Sequence, residues 1–74
     1  MDEKNTIVEI IHEYNRATKK FGSFTSTHEG YAVILEELDE LWDEIKNNSN
    51  KEKLRGEAVQ LAAMTFRFIV DFCS

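Results

Sequence analysis

The chain has 74 residues, 42% of them hydrophobic and 31% charged, with a formal net charge of −5. This length allows one domain at most, residues 1–74, and a chain so short often draws on a metal, a disulfide or a partner chain for stability. The acidic balance argues against a general nucleic-acid binder, which needs clustered Lys and Arg, but not against a nucleotide held through a bridging metal.

The opening "MDEKN" lacks the apolar stretch of a signal peptide, and no later segment has the uninterrupted apolar length of a membrane span. The first helix is predicted from about Asp2 to Lys20. Ile7, Ile10, Ile11, Tyr14 and Ala17 recur there at three- and four-residue steps and mark one apolar stripe. Lys19 and Lys20 close it, where cations complement the helix dipole, and Gly22 with "GSFTST" reads as a loop.

Ser26 followed by Glu29 has the spacing of a capping box, so the second helix is predicted from near His28 to about Asn47. Tyr31, Ile34, Leu35, Leu38, Leu41, Trp42 and Ile45 fall within roughly 60° either side of Leu38 on a helical wheel, which predicts one core face. "NNSN" ends this helix, and Ser49 with Glu52 repeats the capping-box spacing. The third helix is predicted from about Asn50 to Phe72. Leu54, Ala58, Leu61, Ala62, Thr65, Ile69 and Phe72 make one face, and Val59, Ala63, Phe66 and Val70 another. A helix apolar on most sides is expected to be central, and three helices supply little cover for it. The expected fold is therefore all-α, with three helices per chain and a four-helix bundle completed by oligomerisation to a homodimer or homotetramer. Cys73, the single cysteine, has no intrachain partner; a reducing, cytoplasmic location is expected.

Six of the nine positions from Glu36 to Glu44 are acidic. Glu37, Glu40 and Glu44 project from one flank of the apolar stripe, Glu36 neighbours Glu40 at i, i+4, and Asp39 and Asp43 point to the other flank, toward water. Like charges at these spacings repel unless something positive sits among them. The third helix offers a matching polar strip of Glu57, Gln60, Met64, Arg67 and Asp71. If the two helices pack antiparallel, Glu57 and Gln60 face Glu37 and Glu40, an oxygen-only set that suits Mg²⁺. Zinc is disfavoured because neither His12 nor His28 has a second His or Cys at ligand spacing, and no EF-hand loop is present. The plainer alternative is a solvated acidic face.

The order "EELDE", sixteen residues, then "EAVQ" resembles the MazG family of all-α nucleoside triphosphate pyrophosphohydrolases. Glu36, Glu37 and Glu40 match the first half of that family's E-E-x-x-E and E-x-x-D pattern, and Glu57 opens the second. Gln60 stands where the family usually has aspartate. The resemblance runs from about Phe21 onward and implies a Mg²⁺-dependent enzyme, Mn²⁺ being the other candidate ion. Such an enzyme cleaves an NTP or dNTP to the monophosphate and pyrophosphate in nucleotide housecleaning. It implies Glu37, Glu40 and Glu57 as ligands, Gln60 as a weaker ligand or a holder of water, and Glu36 with Glu40 as the catalytic carboxylates, Glu36 either as general base or as a partner that supports the ligands. Arg67, either on a phosphate or paired with Asp71 or the helix-two acids, His28 at the head of helix two, with a loop or capping role as its alternative, and Phe24 as a stacking platform are the candidate substrate contacts; Trp42 has core spacing. Gln60 keeps open a catalytically weakened nucleotide or metal binder, and an acidic interaction module remains the alternative that needs no metal.

Overall fold

A computed structural model of the chain describes residues 2–74. It contains three helices: α1 (Glu3–Phe21), α2 (Thr27–Lys46) and α3 (Lys51–Phe72). Each begins at a side-chain cap that satisfies an otherwise orphaned backbone N–H. Asp2 accepts from the Asn5 amide, Ser26 from Glu29 and Asn50 from Lys53. The Glu29 carboxylate returns to the amide of Thr25 at 2.7 Å, one residue earlier than a standard capping box would place it. Ser49 is not the cap of α3. Asn50 takes that role, and the Ser49 hydroxyl instead donates to the Glu44 carboxylate, tying the α2–α3 connection back to α2. Gly22 ends α1 with φ 74°, a left-handed backbone that a side chain would resist.

The helices are laid out around α3, which packs against both α1 and α2, while α1 and α2 do not pack on each other. Helix α2 runs antiparallel to α3: a Cβ at Gly30 would stand 2.7 Å from the Phe68 ring, whereas Glu57 faces Glu40 and Glu44 near the other end. Helix α1 runs parallel to α3, with Arg55 bound to Glu9 and Thr6 at one end and Arg67 bound to the Gly22 carbonyl at the other. The loop after α1 therefore crosses the C-terminal half of α3 to reach α2. Phe24 in that loop is buried and joins Ala17, Ala63 and Met64 as the core, flanked by Ile10, Tyr14, Val33, Ile34, Phe68 and Phe72. Burying a ring such as Phe24 stabilises by about 2–3 kcal/mol, so the loop is anchored rather than draped.

The expectation of a central third helix agrees with this layout, but two faces differ from those expected. On α3 the buried strip is Val59, Ala63, Met64 and Arg67; Ile69, Val70, Thr65 and Ala58 are exposed. On α2 only Ile34 and Leu41 of the predicted stripe turn partly inward. Tyr31, Leu35, Leu38, Trp42 and Ile45 are exposed, Trp42 by 54%. Trp42 is thus not packed in the core of the chain, because α3 meets α2 along the Val33–Glu37–Leu41–Glu44 side of the helix instead. Among the described residues no helix is long and apolar enough to cross a membrane.

Candidate metal centre and its cleft

Because α1 and α2 flank α3 without touching, a cleft opens between them. It has a volume of about 400 Å³, within the range of small-molecule sites. Helix α3 supplies its floor with Gln60, Met64 and Arg67; α1 contributes Glu13, Arg16 and Ala17, and α2 contributes Val33, Glu36 and Glu37. Phe21, Ser23 and Phe24 close the loop end.

At the other end stands the carboxylate cluster. One oxygen each of Glu36, Glu37 and Glu40 lie within 4.8 Å of one another. This follows from helical geometry, since residues one, three and four apart bring these three carboxylates to one flank. Glu57 approaches from α3, near enough that the charges of Glu40 and Glu44 act on it. Burial first, then the charges of Glu40 and Glu57, push the Glu37 carboxyl up to about 7 from an ordinary 4.5. Glu57 is raised as well, again by burial first and by Glu40 second. The mechanism is the familiar one: desolvation and like charge both disfavour the ionised form.

Glu37 Oε2 and Glu57 Oε1 are shut off from solvent, and no donor among the described residues reaches either. What these side chains meet is the Glu40 carboxylate, a contact that becomes a hydrogen bond only when one of the pair is protonated. Buried oxygens without a donor are costly, and a cation among them removes both the repulsion and the missing partner. The all-oxygen donor set fits a hard divalent ion such as Mg²⁺ or Mn²⁺.

The remaining predicted site residues fall in different places. Gln60 is half-buried on the floor of the cleft. Glu36 is exposed and belongs to both the cluster and the cleft, whereas Glu40 is exposed and belongs to the cluster alone. His28 is exposed in the first turn of α2 and does not line the cleft. Phe24 lines it, but its ring is spoken for: it lies 4.1 Å below the Arg67 guanidinium and stacks toward Phe72. Arg67 is the one buried charged residue among those described, 4% exposed. Its Nη2 donates to the Gly22 carbonyl at 2.6 Å and its Nη1 to the Met64 sulfur at 3.4 Å. The expected ion pairing of Arg67, with Asp71 or with the acids of α2, is therefore corrected among the described residues. Arg67 fastens the loop, and Asp71 does likewise by accepting from the Phe24 amide at 2.9 Å.

Sequence reasoning missed Arg16. It sits on the α1 wall of the cleft, held by Glu13, and the Glu37 charge acts on it across the gap. Its spacing of three from Glu13 is visible in the sequence, but nothing there places α1 opposite α2. No family model, curated protein or solved structure matches the chain. Fold and site together define a small all-helical protein with a carboxylate-lined cleft.

Proposed function

We propose that the chain is a Mg²⁺-dependent nucleoside triphosphate pyrophosphohydrolase, acting on an NTP or dNTP to give the monophosphate and pyrophosphate. The observation that carries this reading is the meeting of the Glu36, Glu37 and Glu40 oxygens, with donor-less buried oxygens on Glu37 and Glu57, at the end of a ligand-sized cleft. The resemblance of "EELDE…EAVQ" to the MazG pattern supports it. Glu37, Glu40 and Glu57 are the residues to hold the ion, with the Gln60 amide oxygen as a neutral donor. A divalent ion there supplies charge neutralisation and polarisation of phosphoryl oxygens.

Exposed Glu36 beside Glu40 can take the proton of an attacking water. Apolar Ala17, Val33 and Met64 keep the middle of the cleft dry enough to hold an organic group. Gln60 favours a second reading, a member that binds nucleotide and turns it over slowly, because an amide brings no charge to the ion.

In this reading the chain works as a homodimer or homotetramer, for which the exposed Tyr31, Leu35, Leu38, Trp42 and Ile45 on one side of α2 supply the surface. A cytoplasmic housecleaning role goes with the activity.

The test is pyrophosphate release from a panel of nucleoside triphosphates in Mg²⁺, with wild type, Glu40→Ala and Gln60→Asp side by side. Turnover in wild type that is lost in Glu40→Ala supports the enzyme. Turnover gained only in Gln60→Asp supports the weakened binder. No turnover in any of them, and no effect of Mg²⁺ on melting, refutes both.

A further inference from the structure

The cleft is crowded with negative charge: Glu13, Glu29, Glu36 and Glu37 all line it. A polyphosphate entering this space meets strong repulsion, and a cation at the carboxylate cluster relieves it only at one end. The two cations on the cleft wall are Arg16 and Arg67. Arg67 is buried, with Nη2 on the Gly22 carbonyl, Nη1 on the Met64 sulfur and its plane on the Phe24 ring, and its one unpartnered donor, Nε, is shut off from solvent. Arg16 is different, because its side chain is 56% exposed.

Glu13 grips Arg16 from one side. Arg16 Nε donates to Glu13 Oε1 at 3.0 Å and Nη2 to Oε2 at 2.5 Å. This fork uses one edge of the guanidinium and leaves the donors on the opposite edge, Nη1 included, without a partner among the described residues. A planar group held along one edge with its other donors free is oriented in advance for a tetrahedral oxyanion. Glu13 thereby acts as a positioning residue, and its ion pair on α1 has a use beyond the small stabilisation of a surface i, i+3 contact.

We propose that Arg16, held by Glu13 on the α1 wall, is the arm that binds the polyphosphate of an incoming nucleotide opposite the Glu36–Glu37 wall. This rests on the pyrophosphohydrolase reading and adds a residue to it. It also gives α1 a direct part in the site, so that the two helices flanking α3 grip one ligand from opposite sides.

The test uses inorganic tripolyphosphate, which carries the phosphates without base or sugar, titrated by calorimetry in Mg²⁺ into the full chain. Arg16→Ala is expected to weaken tripolyphosphate binding about tenfold or more while leaving the affinity for Mg²⁺ alone within about twofold. Arg16→Lys should fall between, since it keeps the charge and loses the fork. Helix content by circular dichroism confirms that both variants fold, as expected for an exposed position. If both variants bind tripolyphosphate like wild type, the Arg16 assignment is overturned and the cation site stands. Wild type that binds Mg²⁺ but no tripolyphosphate overturns the assignment in the same way. Wild type that binds neither removes the pyrophosphohydrolase reading and the inference together.

Discussion

Replacing Glu37 by glutamine probes the electrostatics on which the site depends. The carboxyl sits among Glu36, Glu40 and Glu57, and burial with those charges pushes it up to about 7 from 4.5. A carboxyl raised in the folded state favours folding while it is protonated. Its contribution is therefore fully present below pH 4.5 and is lost as pH rises through about 7. The interval corresponds to about 3 kcal/mol if water were excluded. Glu37 is only partly buried, so screening reduces the expected cost at pH 8 to about 1 kcal/mol. Glutamine keeps the shape and the oxygen, removes the charge, and adds a donor for Glu40. Without divalent ions, Glu37→Gln should melt about 4–8 °C above wild type at pH 8 and close to it at pH 4.5. Circular dichroism at 222 nm across that range, with a chelator present, reads the difference. Addition of Mg²⁺ should then stabilise wild type and leave Glu37→Gln nearly unmoved, reversing their order. A variant that tracks wild type at every pH, or melts lower at pH 8, would show that the cluster is not strained by its own charge.

On the proposed metal site the same proton competes with the ion, so the apparent affinity for Mg²⁺ or Mn²⁺ should fall about tenfold per pH unit below 7 and level off above it; a flat calorimetric profile from pH 5 to 8 contradicts this. Gly30→Ala sets a helix-propensity gain of about 1 kcal/mol against a Cβ placed 2.7 Å from Phe68, a ring already packed on Phe72. Overpacking costs about 1–3 kcal/mol, so urea denaturation should show a net loss, and a stabilised variant would mean that the Phe68 ring yields freely. Asp71→Ala removes the acceptor for the Phe24 amide and should cost about 1–3 kcal/mol, whereas Asp71→Asn, which retains an oxygen, should cost less; equal losses would discount the loop bond. On the proposed self-association through α2, Leu38→Lys with Trp42→Lys should lower the mass measured by light scattering to that of one 8.6 kDa chain without lowering helix content, and an unchanged mass would locate self-association elsewhere or nowhere.

Local chemistry wrote the helices into the sequence. Ser26, Gly22 and the three- and four-residue spacing of apolar side chains act within a few residues of themselves, and all three helices lie where those signals put them, to within a residue or two. The clustering of Glu36, Glu37 and Glu40 is equally legible, since neighbours on one helix share a flank whatever surrounds them. The cap of α3 is harder to read because Ser49 and Asn50 are both good caps. The choice between them turns on the Glu44 carboxylate, which captures the Ser49 hydroxyl.

The antiparallel meeting of Glu57 with Glu37 and Glu40 was legible as well; what lay beyond the sequence is which of the remaining faces meet. A stripe as wide as the one from Tyr31 to Ile45 can be covered from either side, and α3 packs on the flank of Glu37 and Glu44, leaving Leu38 and Trp42 bare. Two members of the strip on α3 that reads as polar, Met64 and Arg67, are buried beside Ala63, because the crossing loop brought Phe24 and the Gly22 carbonyl to cover the guanidinium. The cleft itself exists because α1 and α2 each make their contact with α3 and none with each other. Periodicity tells a helix which side is apolar, but only packing decides which of its charged neighbours ends up facing a cavity, and that is how Arg16 and Glu37 came to share one.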